Sequence, residues 1–167
     1  SEESFAPLPF VVAVKLTSPG PALYMQERLG KDGAQIKICK FRTMVSDSEI
    51  DTIRWSYDED PRVTPLGRIL RKYHIDELPQ LWDIFRGVLS FVGPRPEREV
   101  FYDAFESYIH GFRERLKVKP GLTGLAQVNG RNNITWEEKF QHDVWYVDHV
   151  SLLLDATILM MTVGKIL

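Results

Sequence analysis

The sequence Ser-Pro-Gly-Pro at residues 18–21 separates the start of the chain from the rest. Proline lacks a backbone N–H and has a fixed φ, so no helix can continue through two prolines separated by one glycine. The apolar residues before it, 5–16, are therefore predicted to form a short helix that begins near Pro9. This helix is shorter than the roughly 20 residues that a membrane-spanning helix needs. Two interpretations of it remain open, a buried segment of the fold and part of an interfacial or re-entrant membrane element.

The composition is typical of one folded domain that works in a reducing compartment. The chain has 167 residues, a formal net charge of -2 and one cysteine, Cys39, so no intrachain disulfide can form. Nearly balanced charge argues against a nucleic-acid binder that uses a general basic surface. Cys39 is predicted to be buried in a strand, and no pattern indicates a nucleophilic thiol. The chain begins at Ser1, which favours a fragment of a longer protein.

Two extended runs, residues 22–28 and 35–44, are joined by Gly-Lys-Asp-Gly at residues 30–33 and predict a β-hairpin. Its second strand carries three basic residues: Lys37, Lys40 and Arg42. Residues 46–60 are polar and acidic, without a sustained apolar period, and are interpreted as a helix fragment followed by an exposed loop.

Apolar residues then recur at helical spacing and predict a helix that ends near Lys72. They are Leu66, Ile69 and Leu70. Arg68 and Arg71 lie on a shared face of this helix, since they are three positions apart.

A second helix is predicted to begin at Asp76, which would be its N-cap and would place Pro79 within the first turn. Its buried side is predicted to consist of Leu78, Leu81, Trp82 and Phe85. Asp83 would lie on the exposed side, and Gly87 would end the helix.

Two further helices follow near the C-terminus. Thr135 and Glu138 have the spacing of a capping box, which predicts a helix start. Residues 152–167 carry only two charged side chains and predict a helix that is apolar nearly all round, which must be buried or lie against something apolar.

Asp76 and Glu77 are adjacent acids within a basic stretch of sequence. The basic residues on either side are Arg68, Arg71, Lys72, Arg86, Arg95 and Arg98. Asp and Glu are also common at any helix start, so a purely structural interpretation stays open. The functional alternative is phosphate chemistry, in which one carboxylate attacks, the other holds a divalent metal and the cations bind phosphates.

Arg95 lies between two prolines, Pro94 and Pro96, which restrict the backbone on both sides of it. This arrangement favours a guanidinium held in one place, although a plain turn is the alternative. No glycine-rich phosphate-binding loop is present, so arginines must bind any phosphate. The four histidines lack metal-ligand spacing, which argues against a zinc site.

Six motifs in one order resemble the bacterial sugar transferase family, the monotopic phosphoglycosyl transferases. They are Gln-Glu-Arg-Leu-Gly (26–30), Lys-Phe-Arg-Thr-Met (40–44), Ile-Asp-Glu-Leu-Pro-Gln (75–80), Gly-Pro-Arg-Pro (93–96), Lys-Pro-Gly-Leu-Thr-Gly (119–124) and Asn-Gly-Arg-Asn (129–132). The resemblance extends from about Pro9 to the C-terminus.

The resemblance implies transfer of a sugar 1-phosphate from a nucleotide diphosphate sugar, usually a UDP-sugar, to undecaprenyl phosphate with release of UMP. This is the first membrane step of exopolysaccharide, capsule or glycan biosynthesis. Asp76 is implied as the nucleophile and Glu77 as the partner that engages Mg²⁺, with Asp76 nearby. The implied phosphate-binding residues are Arg95, Arg71, Lys40 and Arg131. The loop at 127–132 resembles that of members that use N-acetylated sugars.

The predicted fold is α+β and mostly helical, with a short N-terminal β-hairpin and amphipathic interfacial helices. The resemblance adds a truncated re-entrant membrane helix: residues 1–21 would be its second half with a linker, and residues 22–167 the catalytic domain. The implied location is the bacterial cytoplasmic membrane, with the catalytic domain facing the cytosol. Two alternatives are a nucleotide-sugar-binding module without turnover and a nucleic-acid binder, which the net charge disfavours.

Overall fold

The computed structural model describes residues 6–45, 60–130 and 133–166. Its helices and strands are, in chain order, α1 (Leu8–Thr17), β1 (Leu23–Leu29), β2 (Gln35–Phe41), α2 (Pro65–Lys72), α3 (Gln80–Phe85), β3 (Ser90–Val92), α4 (Glu99–Glu106), β4 (Gly121–Thr123), α5 (Leu125–Asn129), α6 (Trp136–Asp148) and α7 (Leu152–Ile166). Three 3-10 turns occur at Lys31–Gly33, Ile75–Glu77 and Phe112–Lys117. The helix fragment and loop predicted at 46–60 lie outside the described residues, apart from Asp60.

The chain divides into two compact units. The first comprises residues 1–26 and 39–82, and the second comprises residues 27–38 and 83–167. Strands β1 and β2 pair as the predicted hairpin, joined by the turn at Lys31–Gly33. The mixed helical and strand composition confirms the predicted class, and the hairpin is confirmed in its position.

Helix α1 packs on the core of the first unit through Val11 and Val14. The buried residues around them are Ala22, Leu23, Cys39, Phe41 and Leu70. Cys39 is fully buried, as predicted. Leu8 and Leu16, at the two ends of α1, are 71% and 82% exposed. Among the residues that the structure describes, none of the helices has the length and apolar character to cross a bilayer, and the re-entrant helix stays a prediction.

The Ser-Pro-Gly-Pro segment after α1 is bound by the buried side chain of Arg42. Its guanidinium donates to the carbonyl of Ser18 at 2.8 Å and to that of Gly20 at 3.4 Å, and also donates to the carbonyl of Pro19. These carbonyls follow the end of α1 at Thr17, where prolines remove backbone donors, and a buried carbonyl without a donor is costly. Arg42 therefore fixes the exit of the chain from α1.

Helix α2 begins where the backbone of Thr64 meets that of Thr43. Thr64 is the N-cap, and its hydroxyl accepts from the Gly67 N–H at 2.9 Å. The Thr64 N–H donates to the Thr43 carbonyl at 2.9 Å. A Cβ on Gly67 would overlap this carbonyl, so only glycine allows the close approach.

The helix predicted to begin at Asp76 begins later. Residues Ile75–Glu77 form a 3-10 turn, and α3 begins at Gln80. The N–H groups of Glu77 and Leu78 each donate to the carbonyl three residues earlier, which is the 3-10 pattern, and Pro79 has no N–H to continue it. Asp76 therefore lies within a turn and is not the N-cap of a helix.

The predicted faces of this helix are also wrong. The four residues expected to be buried are exposed: Leu78 (37%), Leu81 (46%), Trp82 (37%) and Phe85 (79%). Asp83, expected to be exposed, is fully buried and pairs with Arg86 at 2.6 Å. Because α3 has only six residues, apolar spacing does not decide which side faces the core.

The second unit contains a small parallel pair of strands that the sequence did not predict. In β3 and β4, Ser90 is opposite Gly121 and Val92 is opposite Thr123. The two backbones approach so closely that a Cβ on Gly93 or Gly121 would overlap main-chain atoms of the other segment. The Gly93 N–H donates to the Thr123 carbonyl at 2.9 Å and extends the pairing by one residue.

Aromatic side chains form the main core of the second unit. Its rings come from Phe101, Tyr102, Phe105, Phe112, Trp136 and Phe140. Helix α6 begins with the predicted capping box of Thr135 and Glu138. Helix α7 packs through Ile158, which is fully buried, whereas Leu152 is 90% and Leu153 79% exposed.

Gly67→Ala is expected to lower the free energy of unfolding by about 1–3 kcal/mol, because the added methyl group overlaps the Thr43 carbonyl. The measurement is urea denaturation. The matched control is Gly164→Ala in α7, where a Cβ meets nothing within 4 Å and the change should stabilise by about 0.5 kcal/mol. Equal effects of the two substitutions would contradict the close approach.

Asp60 is expected to make stability depend on pH at the acid end. Hydrogen bonds from the Arg62 side chain lower the pKa of Asp60 from 3.8 to about 2, against the opposing effect of burial. A carboxyl group whose pKa is lowered by folding stabilises the fold at pH values above its ordinary pKa. This contribution to the free energy of unfolding is lost as the pH falls toward 2. The gap in thermal midpoint between the unsubstituted chain and Asp60→Asn should therefore narrow from about pH 4 downward. A gap independent of pH would contradict this.

Candidate functional site

Asp76 lies in the first unit, in the 3-10 turn that follows α2, and is 9% exposed. The chain enters this turn through His74, whose φ of 56° is in the left-handed region that few residues other than glycine adopt. The His74 N–H donates to the Arg71 carbonyl at 3.2 Å, and its own carbonyl accepts from Glu77. Asp76 is thus held within a short reversal of the chain that is closed by backbone hydrogen bonds.

Glu77 is paired with Lys40 of β2. The Lys40 Nζ lies 2.9 Å from the Glu77 Oε1, and the two side chains are 17% and 11% exposed. An ion pair that is largely removed from water interacts more strongly than a surface pair. The structure therefore brings together two of the predicted site residues that are 37 positions apart.

Arg71 extends from α2 and is held by Thr43. Its Nε donates to the Thr43 hydroxyl at 2.8 Å. Burial lowers the pKa of Arg71, and the negative charges of Asp76 and Asp60 act in the opposite direction. Arg71 thus lies close enough to Asp76 for their charges to interact, while Thr43 restricts the orientation of its guanidinium.

The carboxylates suit a magnesium site that substrate would complete. Among the described residues, no group of three histidine, cysteine or acidic side chains is placed to hold a metal. Mg²⁺ is commonly bound through one or two carboxylates together with substrate phosphates and water. The carboxylate oxygens of Glu77 and Asp76, which are adjacent in the sequence, fit this kind of site.

Arg95 lies in the second unit, directly after β3. Its side chain is exposed, whereas Pro94 and Pro96 on either side are buried. Its carbonyl accepts from the Arg115 Nη2 at 2.9 Å. The backbone at Arg95 is thus restrained, and the prediction that its guanidinium is held in one place to bind phosphate stays a prediction. Arg131, the remaining predicted phosphate-binding residue, lies outside the described residues.

Several residues around these positions were not predicted. They are Thr43, Asp60, Arg115 and Asp143. The inward position of Asp143 could have been predicted from the sequence, because it follows Phe140 by three positions in α6 and shares its inward face. No sequence pattern predicted the contact of Thr43 with Arg71, since these residues are 28 positions apart.

The first unit therefore offers one acid beside a guanidinium and a second acid beside an ammonium group. Carboxylates in such a setting can act as a nucleophile or a metal ligand, and the cations can neutralise phosphates. The same cations also stabilise the fold, so geometry alone does not separate the two functions.

Comparison with known proteins decides the family. The family model described as bacterial sugar transferase matches residues 4–167. An uncharacterized sugar transferase EpsL of Bacillus subtilis is 45% identical over 157 residues, which cover 94% of this chain and 75% of the relative. A UDP-N-acetylgalactosamine-undecaprenyl-phosphate N-acetylgalactosaminephosphotransferase of Aeromonas hydrophila is 40% identical over 168 residues, covering 98% of this chain and 40% of the relative.

A third relative is a UDP-glucose:undecaprenyl-phosphate glucose-1-phosphate transferase of Caulobacter vibrioides. It is 41% identical over 170 residues, which cover 98% of this chain and 64% of the relative. The chain thus spans only part of each of these relatives, between 40% and 75% of their length. On the match of the family model and on these identities, the chain belongs to the bacterial sugar transferase family.

Proposed function

We propose that this chain is a phosphoglycosyl transferase that transfers a sugar 1-phosphate from a UDP-sugar to undecaprenyl phosphate and releases UMP. The observation that carries the proposal is the 2.9 Å ion pair of Lys40 with Glu77, next to Asp76 in the first unit, where the charge of Arg71 also interacts with that of Asp76. The printed names of the relatives from Aeromonas and Caulobacter support the two substrates.

The reaction takes place in two displacements at one phosphorus atom. A carboxylate oxygen of Asp76 attacks the phosphorus that bears the sugar, and the bond from that phosphorus to the bridging oxygen breaks, so UMP leaves. An oxygen of undecaprenyl phosphate then attacks the same phosphorus. The bond to Asp76 breaks, the carboxylate is restored, and the lipid carries the sugar through a diphosphate.

Each neighbouring residue has a separate function in this route. Arg71, near Asp76, would balance the charge that phosphate brings to the nucleophile. Lys40 holds Glu77 in place through the 2.9 Å contact. Mg²⁺, held by Glu77 with Asp76, would neutralise charge on the diphosphate. The low exposure of Asp76 would limit access of water to the phosphorylated carboxylate.

We place the reaction at the cytosolic face of the bacterial cytoplasmic membrane, because the acceptor is a lipid. The exposed apolar ends of α1, Leu8 and Leu16, support contact with an apolar phase. Exopolysaccharide, capsule or glycan assembly would use the lipid-linked product. The two relatives are named for different UDP-sugars, so their names do not specify which sugar this chain transfers. UMP release measured over a panel of UDP-sugars with undecaprenyl phosphate would identify the sugar.

Asp76→Asn is expected to reduce UMP release by at least about three orders of magnitude, because the amide is not a nucleophile and both displacements are lost. The measurement is UMP release from UDP-sugar with undecaprenyl phosphate in detergent. Asp148→Asn, which changes an exposed acid at the end of α6, is the matched control and should retain full activity.

Without lipid, the unsubstituted chain should release one UMP per protein molecule and retain the labelled sugar phosphate on Asp76. Turnover with lipid but neither a burst nor labelled protein would favour direct transfer over the covalent route. Calorimetric binding of UDP-sugar with background UMP release would instead favour a binding module.

Thr43→Val is expected to lower kcat/KM for the UDP-sugar by roughly tenfold, because a hydrogen bond to a charged group is worth about 1.5–3 kcal/mol and Arg71 loses its acceptor. Valine keeps the shape of threonine. Thr43→Ser keeps the hydroxyl and should remain within about threefold of the unsubstituted chain. If serine and valine reduce activity equally while the thermal midpoints stay unchanged, the hydroxyl does not orient Arg71.

A further inference from the structure

Arg115 and Asp143 form an ion pair inside the second unit. The Arg115 Nε donates to the Asp143 Oδ2 at 2.7 Å, and both side chains are 2% exposed. The guanidinium also lies 4.8 Å from the ring centre of Phe112 and donates to the Tyr102 hydroxyl at 3.4 Å. The pair is therefore enclosed by the aromatic core and cannot contact substrate directly.

The third nitrogen of this guanidinium binds the backbone at Arg95, in the same unit. The Arg115 Nη2 donates to the carbonyl of Arg95 at 2.9 Å. A neighbouring carbonyl is also bound: the Gly121 N–H donates to that of Pro94 at 3.0 Å. Two donors from separate segments thus bind the backbone that leads into the exposed Arg95 side chain.

The prolines alone do not fix this backbone. Pro94 and Pro96 set their own φ angles, and Arg95, which precedes Pro96, is restricted to an extended ψ, but its φ keeps a range of about 80°. Rotation about φ of Arg95 moves its side chain and its carbonyl together. The bond from Arg115 therefore removes the main rotation that the prolines leave.

Stability alone does not account for this arrangement. Replacing a buried ion pair by apolar residues of similar volume is often neutral or stabilising, because both charges must be removed from water. Apolar residues would fill the same space, but they cannot donate to the Arg95 carbonyl.

We propose that Arg115 and Asp143 are positioning residues for Arg95. Asp143 neutralises and orients the Arg115 guanidinium, which fixes the Arg95 backbone so that the exposed side chain is ready to bind a nucleoside diphosphate. The inference rests on the proposed function, which assigns phosphate binding to Arg95.

A double-mutant cycle measured by UDP binding tests the inference. The ion pair is replaced by Arg115→Met with Asp143→Leu, once in the unsubstituted chain and once with Arg95→Gln, and the UDP dissociation constant is measured by calorimetry with Mg²⁺ present. Arg95→Gln alone should weaken binding by roughly tenfold. Replacing the Arg115–Asp143 pair should weaken UDP binding by nearly as much. In the Arg95→Gln background, the same replacement should change the UDP dissociation constant by less than about twofold.

The matched control is the exposed ion pair of Arg113 and Asp103, in the same unit, replaced by the same two residue types. It should leave UDP affinity within about twofold. If the apolar pair removes the cooperative thermal transition, Arg115→Lys is used instead. Lysine keeps the charge opposite Asp143 but lacks the guanidinium fork, so the same loss of affinity and the same cycle are expected.

Equal weakening in both backgrounds, or unchanged affinity when Arg95 is present, would overturn the inference. Unchanged affinity of Arg95→Gln itself would overturn both the inference and the assignment of Arg95. UMP release by the unsubstituted chain is a separate measurement, so it decides the proposed function whatever the cycle shows.

Discussion

Two proline-rich turns depend on buried guanidinium groups that bind their carbonyls. Arg42 binds the turn after α1, and Arg115 binds the turn at Arg95. Prolines leave such segments without regular hydrogen bonds, yet a buried carbonyl without a donor is costly. Arginine suits this task because its planar group offers five N–H donors and remains charged. These two irregular segments are therefore held by specific hydrogen bonds, as the helices are.

The sequence predicted those features whose causes are local. Glycines at both ends of the hairpin turn, prolines after α1 and the Thr135–Glu138 capping box each restrict the backbone within a few residues, and all three are present. The face of α3 was predicted wrongly because six residues make less than two turns. Burial of Asp83 there depends on Arg86 and on Val88 and Leu89, whose N–H groups both donate to the Asp83 carbonyl.

The candidate site shows the same contrast between local motifs, which were predictable, and long-range contacts, which were not. The motifs pointed to Lys40, Arg71, Asp76 and Glu77, and the structure brings these four into one unit. The contact that holds Arg71 and the ion pair behind Arg95 were not predictable from spacing, because Thr43 meets Arg71 and Arg115 meets Asp143 across 28 positions in each case. A polar residue on an apolar helix face, such as Asp143, is the signal that deserved a functional interpretation.

The left-handed conformation of His74 sets the distance between Arg71 and Asp76. One residue reverses the chain between the helix that carries the guanidinium and the turn that carries the carboxylate. The separation of these two charged groups therefore depends on the backbone conformation at His74 and not on α2 or the turn alone. An insertion or deletion at this joint would change the separation of the two charges while leaving α2 and α3 intact, so the length of this segment is constrained even where its side chains are not.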